Sequence, residues 1–349
     1  MLTSNSRIAV LLQEGIRGTQ GKTGLALLRY RPDTIAAVID RQCAGESLTA
    51  LTGISCHAPI VSSVSEALAY QPTVLAIGIA PSGGALPEAW LTELKQAAAA
   101  GLSIMNGLHT QMSAIPELKD LLKAGQWIWD IRQEPLGLKV GSGEARSLPC
   151  LRVLTVGTDM GVGKMATTLE LDRAAHKRGI NSKFLGTGQA GIMIAGDGIP
   201  LDAIRVDFAA GAVEQLVMRY GHDYEMLLIE GQGSLMNPAS TATLPLIRGS
   251  QPTHLILVHR AGQNHIRTFP DVPIPSLQNA VYVYETVAAA GGSFAPAPVV
   301  GIALNTAHLD DEAARDAIAH AQQETGLPCT DPVRFGADLL LEAILKPIN

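Results

Sequence analysis

Short, unbroken apolar runs alternate with longer amphipathic stretches along most of this chain. Residues 8–12, 34–39 and 74–79 are runs of strand length, and 103–106 and 127–131 can supply two more. The intervening spacing predicts helices through 25–30, from 87 to about 101, and near 115–124. Pro81-Ser82-Gly83-Gly84 reads as the turn feeding the second of these. Apolar strands separated by helices imply a parallel sheet buried on both faces, with crossover connections. Ligands in such sheets bind at the carboxyl ends of the strands.

The pattern breaks at Val140-Gly141-Ser142-Gly143-Glu144-Ala145-Arg146-Ser147, a polar, glycine-containing stretch that reads as a domain boundary. It then restarts with a strand at 151–156, a loop at 157–164 and a helix at 164–177. Further strands are expected at 183–186, 226–230, 254–258 and 299–304, and helices at 211–220, 276–290, 310–325 and 335–345. The expected fold is α/β in two domains. A Rossmann-like parallel sheet occupies 1–146, and a P-loop NTPase-like parallel sheet occupies 147–349.

Composition agrees with this layering. The chain has 349 residues, long for one hydrophobic core. It is 47% hydrophobic but only 4% aromatic, with 35 glycines, which suits helices lying close on a sheet. The net charge of −6 comes from 26 basic and 32 acidic residues with no Lys/Arg block, so no nucleic-acid partner is expected. No apolar run approaches the ~20 residues of a membrane span. The first residues lack the plan of a signal peptide. Cys43, Cys56, Cys150 and Cys329 are scattered and form no C-x-x-C pair, so neither structural zinc nor a disulfide framework is expected. A cytoplasmic location follows as an expectation.

The most informative string is Gly157-Thr158-Asp159-Met160-Gly161-Val162-Gly163-Lys164, between a strand and a helix. Glycines there let backbone N–H groups converge on phosphate oxygens, the helix N-terminus adds positive partial charge, and the lysine reaches the outer phosphates. Two departures stand out. The first glycine falls one position early, at Gly157, and Met165 stands where Ser or Thr normally holds Mg²⁺. Without that hydroxyl, attack on a nucleoside triphosphate loses a metal ligand, and binding without hydrolysis gains ground. Thr167 and Thr168 are nearby, within the first turns of the helix, but are expected to point elsewhere.

Glu230 ends the run 226–230 and is followed by Gly231-Gln232-Gly233-Ser234. It can hold Mg²⁺, act as a base beside the loop, or simply cap a turn. Asn305, closing 299–304, reads either as a purine contact or as a turn former. His259 and Arg260 follow 254–258 and can face the same cleft, the histidine moving protons and the arginine clamping a carboxylate. His259 and His265 lack the spacing and third ligand of a metal site, and no metal residues are assigned. Asp271-Val272-Pro273-Ile274-Pro275 reads as a rigid extended loop. Gly15, Gly18 and Gly21-Lys22-Thr23 form either a second anion site or a glycine-rich turn. Asp40 sits where a dinucleotide domain would hold a ribose, but no G-x-G-x-x-G precedes it, which argues against a nicotinamide cofactor.

The loop string Gly-Thr-Asp-x-x-Val-Gly-Lys resembles dethiobiotin synthetase, as does Glu230-Gly231-x-Gly233, although Met165 replaces that family's Thr. A second resemblance covers nearly the whole chain. It rests on Gly21-Lys22-Thr23-Gly24, Val38-Ile39-Asp40, Val162-Gly163-Lys164-Met165, Ile229-Glu230-Gly231-Gln232-Gly233-Ser234 and Gly301-Ile302-Ala303-Leu304-Asn305-Thr306. This order is similar to a bacterial family, Rossmann-like then P-loop, whose members include D-glutamate N-acetyltransferases of the DgcN type. The resemblance implies transfer of an acetyl group from acetyl-CoA to a D-amino acid such as D-glutamate, a small-molecule substrate. Met165 is compatible with it, because coenzyme A presents phosphates but needs no hydrolysis.

On that reading Gly157, Thr158, Asp159, Gly161, Val162, Gly163, Lys164 and Met165 form the CoA site, with Asn305 beside it. Glu230 is the first candidate base and His259 the second, and Arg260 is the candidate carboxylate clamp. Two alternatives remain: an ATP/Mg²⁺-dependent carboxylate–amine ligase or small-molecule kinase, and a non-catalytic nucleotide or CoA sensor. A homo-oligomer is expected, with the leucines of 339–345 either in the core or at a dimer seam.

Overall fold

The computed structural model describes residues 2, 5–79, 86 and 88–347, so the expected turn at 81–84 and Pro87 lie outside the described residues. The chain forms two parallel six-stranded sheets in two compact units. The first unit comprises 1–133 with 189–200, and the second 134–188 with 201–349. This division falls at Gln133/Glu134, ahead of the polar stretch at 140–147. That stretch is held by the Glu214 carboxylate, which accepts the N–H groups of Ser142 and Gly143 at 2.8 Å each and that of Glu144 at 3.3 Å.

In the first unit, β1 (Ile8–Leu11), β2 (Ile35–Ile39), β3 (Ile60–Val61), β4 (Val74–Ile77), β5 (Ser103–Asn106) and β6 (Ile128–Asp130) pair in the order β3-β2-β1-β4-β5-β6. This is the doubly wound dinucleotide-fold order, with its topological switch between β1 and β4. Every residue of β1 and β4 is buried, which explains their unbroken apolar sequence. Asp40, just past β2, accepts the N–H of Ile16 at 3.2 Å and that of Gln42 at 3.0 Å. Its carboxylate thereby fastens the 12–21 segment, the glycine-rich turn that precedes the helix Lys22–Tyr30. The helix expected near 115–124 is regular only over Pro116–Lys119. Leu121 and Leu122 then bond three residues back, to Leu118 and Lys119, and continue as turns. The segment Gln189–Ala195, not foreseen as a helix, adds Ile192 and Met193 to this unit's core.

In the second unit, β7 (Leu151–Gly157), β8 (Ser182–Leu185), β9 (Met226–Ile229), β10 (His254–Arg260), β13 (Val299–Asn305) and β14 (Cys329–Thr330) pair in the order β14-β13-β10-β7-β9-β8. A separate antiparallel hairpin, β11 (His265–Ile266) with β12 (Phe269–Pro273), stands outside the sheet where an extended loop was expected. Chain order reverses across β7, so its carboxyl end, flanked by β9 and β10, is the switch point of this sheet. The helix Lys164–Lys177 packs on one face together with Asp338–Leu345, whose Leu340, Leu341 and Ile344 join the core. Leu339 and Leu345 of that last helix are exposed. Among the described residues no helix is long and apolar enough to cross a membrane. The four cysteines are free and buried.

Candidate functional site

Six buried residues of β7 lead into the loop, and the helix starts at Lys164. The turn between them requires left-handed backbone at Gly163, where φ is +119°, a value side-chain-bearing residues rarely adopt. The Thr158 N–H donates to the Val258 carbonyl at 3.1 Å, stitching the loop to β10. Lys164 folds back over the loop, its Nζ donating to the Asp159 carbonyl at 2.8 Å. A methyl group on Gly157 would lie 3.1 Å from that Nζ, so the ammonium sits directly over the strand end.

Asp159, expected among the ligand-binding residues, is occupied by the protein itself. Its carboxylate accepts from Asn237 Nδ2 at 2.8 Å, Gln263 Nε2 at 2.7 Å, the Met160 N–H at 2.7 Å and the Arg267 N–H at 2.9 Å. Burial pushes its pKa up, but these four donors together outweigh burial and hold it below the ordinary value. Thr168 donates to the Lys164 carbonyl at 2.8 Å and pairs with Thr155 at 2.9 Å, so its hydroxyl serves the helix and β7. Met165, half-buried, gives the first helical turn no oxygen for a cation.

Glu230 lies just past β9, almost fully buried, and its carboxylate accepts three donors. They are the N–H groups of Thr187 at 2.8 Å and Gly188 at 3.1 Å, and Gln232 Nε2 at 3.1 Å. Burial raises its pKa to about 7 against the opposing pull of those N–H groups and of Lys164. The same burial lowers Lys164 to about 8, with Asp159 and Glu230 acting the other way. The strand end thus carries a carboxylate and an ammonium that both exchange protons near neutrality, a property concentrated at functional sites. Gly231 passes so close to β7 that any side chain would collide with the Thr155 carbonyl. Its own N–H donates to Thr155 Oγ1 at 2.9 Å.

His259 and Arg260 are separated by the pleat of β10. Val258 packs in the cluster beneath the helix Lys164–Lys177, and Arg260, two residues on, belongs to that same face. His259 points to the other face. There its Nδ1 bonds Thr158 Oγ1 at 2.8 Å, and it lines a cavity of about 400 Å³ with Leu277, Leu304, His320 and Glu324. Burial lowers its pKa to about 4, so the imidazole is neutral at physiological pH. Asn305 donates from Nδ2 to the Val162 carbonyl at 3.0 Å and accepts the Ala307 N–H at 3.2 Å, bracing the loop against β13.

Several residues that shape the site carried no sequence signal. Tyr284, fully buried on the helix Leu277–Ala289, donates its hydroxyl to the Gly157 carbonyl at 2.7 Å and accepts the Leu235 N–H at 3.1 Å. Tyr284→Phe leaves both groups unpaired in the interior. A loss of about 1–3 kcal/mol is expected, read as a shift in denaturation midpoint at constant slope. Arg267 reaches the loop from the turn of the β11–β12 hairpin. A methyl group on Gly161 would lie 3.4 Å from its Nη2 and 3.9 Å from its Cζ. No spacing rule links position 267 to position 161; only the hairpin does.

A family model described as a domain of unknown function, the DUF1611_C P-loop domain, matches residues 139–341, and its DUF1611_N Rossmann-like companion matches 41–134. The chain is 36% identical over 325 residues to a protein of Tritonibacter scottomollicae named D-glutamate N-acetyltransferase, covering 93% of each. It is 35% identical over 281 residues to a protein of the same name from a Pseudoalteromonas species, covering 80% of this chain and 83% of the relative. The crystal structure of a DUF1611 family protein from Anabaena variabilis matches at a TM-score of 0.95 and 64% identity. That match covers 98% of this chain and 100% of the other.

Proposed function

This chain belongs to the DUF1611 family, and from that membership we propose that it is an N-acetyltransferase moving an acetyl group from acetyl-CoA to the amine of D-glutamate. The observation that carries the reading is the 36% identity, over 93% of both chains, to a protein named for that reaction. The geometry fits the donor's phosphates. Lys164 lies over the strand end, the helix Lys164–Lys177 begins at the loop, and Met165 offers no oxygen to a metal that a thioester would not need.

In this reading the chain's residues do three things. Lys164 and the backbone at Gly161 and Gly163 hold the CoA phosphates, with Asn305 bracing the loop. Arg260, on the same face, takes a carboxylate of the acceptor. Glu230, poised near 7, takes a proton from the substrate ammonium and leaves the nitrogen lone pair free. Acetyl-CoA supplies an activated carbonyl: the new C–N bond replaces its C–S bond, the thiolate departs, and the nitrogen's surplus proton neutralises it. The products are N-acetyl-D-glutamate and free CoA thiol.

Thermal denaturation in the presence of acetyl-CoA, or of ATP with Mg²⁺, tests the donor. A ligand that binds only the folded state raises the melting temperature by mass action. A rise with acetyl-CoA and little with ATP is expected. The reverse would return the chain to the ligase and kinase class.

A further inference from the structure

We infer that Arg267, carried by the β11–β12 hairpin, completes a phosphate subsite outside the loop by setting its guanidinium over Gly161. The inference deepens the reading of the loop as a CoA site and names one more residue that holds the ligand.

Three features of the hairpin converge on this role. First, the backbone of Arg267 is anchored by the loop itself. Asp159 Oδ2 accepts both the Arg267 N–H at 2.9 Å and Gln263 Nε2 at 2.7 Å, while the Gln263 amide also donates to the His265 carbonyl at 3.0 Å. Ile266, fully buried, pins the neighbouring residue into the protein. The root of the arginine is therefore positioned by the same carboxylate that shapes the loop.

Second, the guanidinium lies close to an exposed, left-handed glycine. Gly161 has φ +69°, and a methyl group built on it would stand 3.4 to 3.9 Å from the Nη2, Nη1 and Cζ atoms. A side chain at 161 would touch the guanidinium at ordinary contact distance, and its backbone would be strained at this φ.

Third, no carboxylate competes for the charge. Among the described residues Arg267 forms no ion pair, although its main-chain N–H is bound by Asp159. An arginine fork beside the start of the helix Lys164–Lys177 is suited to phosphate oxygens, which it can grip through two parallel N–H donors. Coenzyme A offers two sources of such oxygens, the pyrophosphate and the ribose 3′-phosphate.

The test is equilibrium binding of CoA, dephospho-CoA and inorganic pyrophosphate to wild-type protein, Arg267→Ala and Arg267→Lys. Arg267→Ala is expected to weaken CoA binding about 10- to 100-fold. Arg267→Lys, which keeps charge but loses the fork, should weaken it less. The ligand-free melting temperature of Arg267→Ala should stay unchanged, because the side chain is exposed. A loss shared by dephospho-CoA and pyrophosphate places the pyrophosphate at Arg267, whereas a loss confined to CoA places the 3′-phosphate there. If wild-type protein binds pyrophosphate but not CoA, and Arg267→Ala loses that binding, the subsite stands and the CoA reading falls. Binding of all three ligands by Arg267→Ala within about twofold of wild type, or no binding by wild type, overturns the subsite.

Discussion

Replacing Glu230 with Gln is expected to reduce kcat by about 10²–10⁴-fold, the usual contribution of a positioned base, while the fold survives. The amide oxygen can still accept the N–H groups of Thr187 and Gly188, and Gln232 can turn its own amide to meet the new NH₂. What disappears is a group able to take a proton near pH 7. Because Glu230 also supports the charge on Lys164, acetyl-CoA affinity should be measured near pH 6.5, where the lysine stays protonated in the variant. Under those conditions it should change only a few-fold. Turnover matching wild type would remove Glu230 from the chemistry and leave it as a bracket for the 187–188 turn.

The same carboxylate should leave a mark on stability. Its folded pKa is raised from 4.5 to about 7. Between those values the folded protein retains a proton that the unfolded chain has released. Ligand-free stability must therefore fall as pH rises through that window, by a total of about 3 kcal/mol. Glu230→Gln, which has no proton to lose, should flatten the slope in denaturation series taken from pH 4.5 to 7.

Lys164→Met carries the second large effect: a loss of CoA affinity of about 10²-fold or more, since a buried charge-assisted contact is removed with nothing to replace it. The wild-type lysine makes the same point through pH. Burial lowers it to about 8, so the ligand-free protein holds the ammonium below that value and loses it above. A polyanion binds the ammonium, and above pH 8 binding must first take up a proton. Affinity should then fall by up to about tenfold per pH unit. Combined with the need for ionised Glu230, kcat/KM should peak between about 7 and 8, the two limbs belonging to a coupled pair. Isothermal titration across pH 6.5–9.5 checks the upper limb, and Lys164→Met should abolish it.

The strands were legible because parallel strands buried on both faces leave unbroken apolar runs. β7, β9 and β10 are nearly all buried and were visible from sequence. The β11–β12 hairpin was not: Phe269-Pro270-Asp271-Val272-Pro273 is almost wholly exposed, so nothing imposes alternation on it. Pro245 and Gly249 similarly masked the helix Thr243–Ser250, where proline falls in the first turn and costs little. The helix Gln189–Ala195 joins the first unit through contacts far away in sequence, which no local pattern records.

At the site, Lys164 and Glu230 could be located from strand ends alone, but their shared approach to neutral pH comes from burial, which spacing does not encode. The adjacency of His259 and Arg260 suggested one cleft. Strand alternation places them on opposite faces, a consequence available only once β10 was known to run through residue 260. Arg267 has no signature in the sequence because its relation to Gly161 is made by the fold.

Acetyl transfer is assayed by incubating the purified protein with acetyl-CoA and D-glutamate, following thiol release and identifying the product by mass spectrometry. Stoichiometric release of CoA thiol and N-acetyl-D-glutamate is expected without added ATP or Mg²⁺, with loss of both in Glu230→Gln. Thiol release no faster than without protein, together with nucleotide turnover when ATP and Mg²⁺ are supplied, would rule out acetyl transfer by this chain.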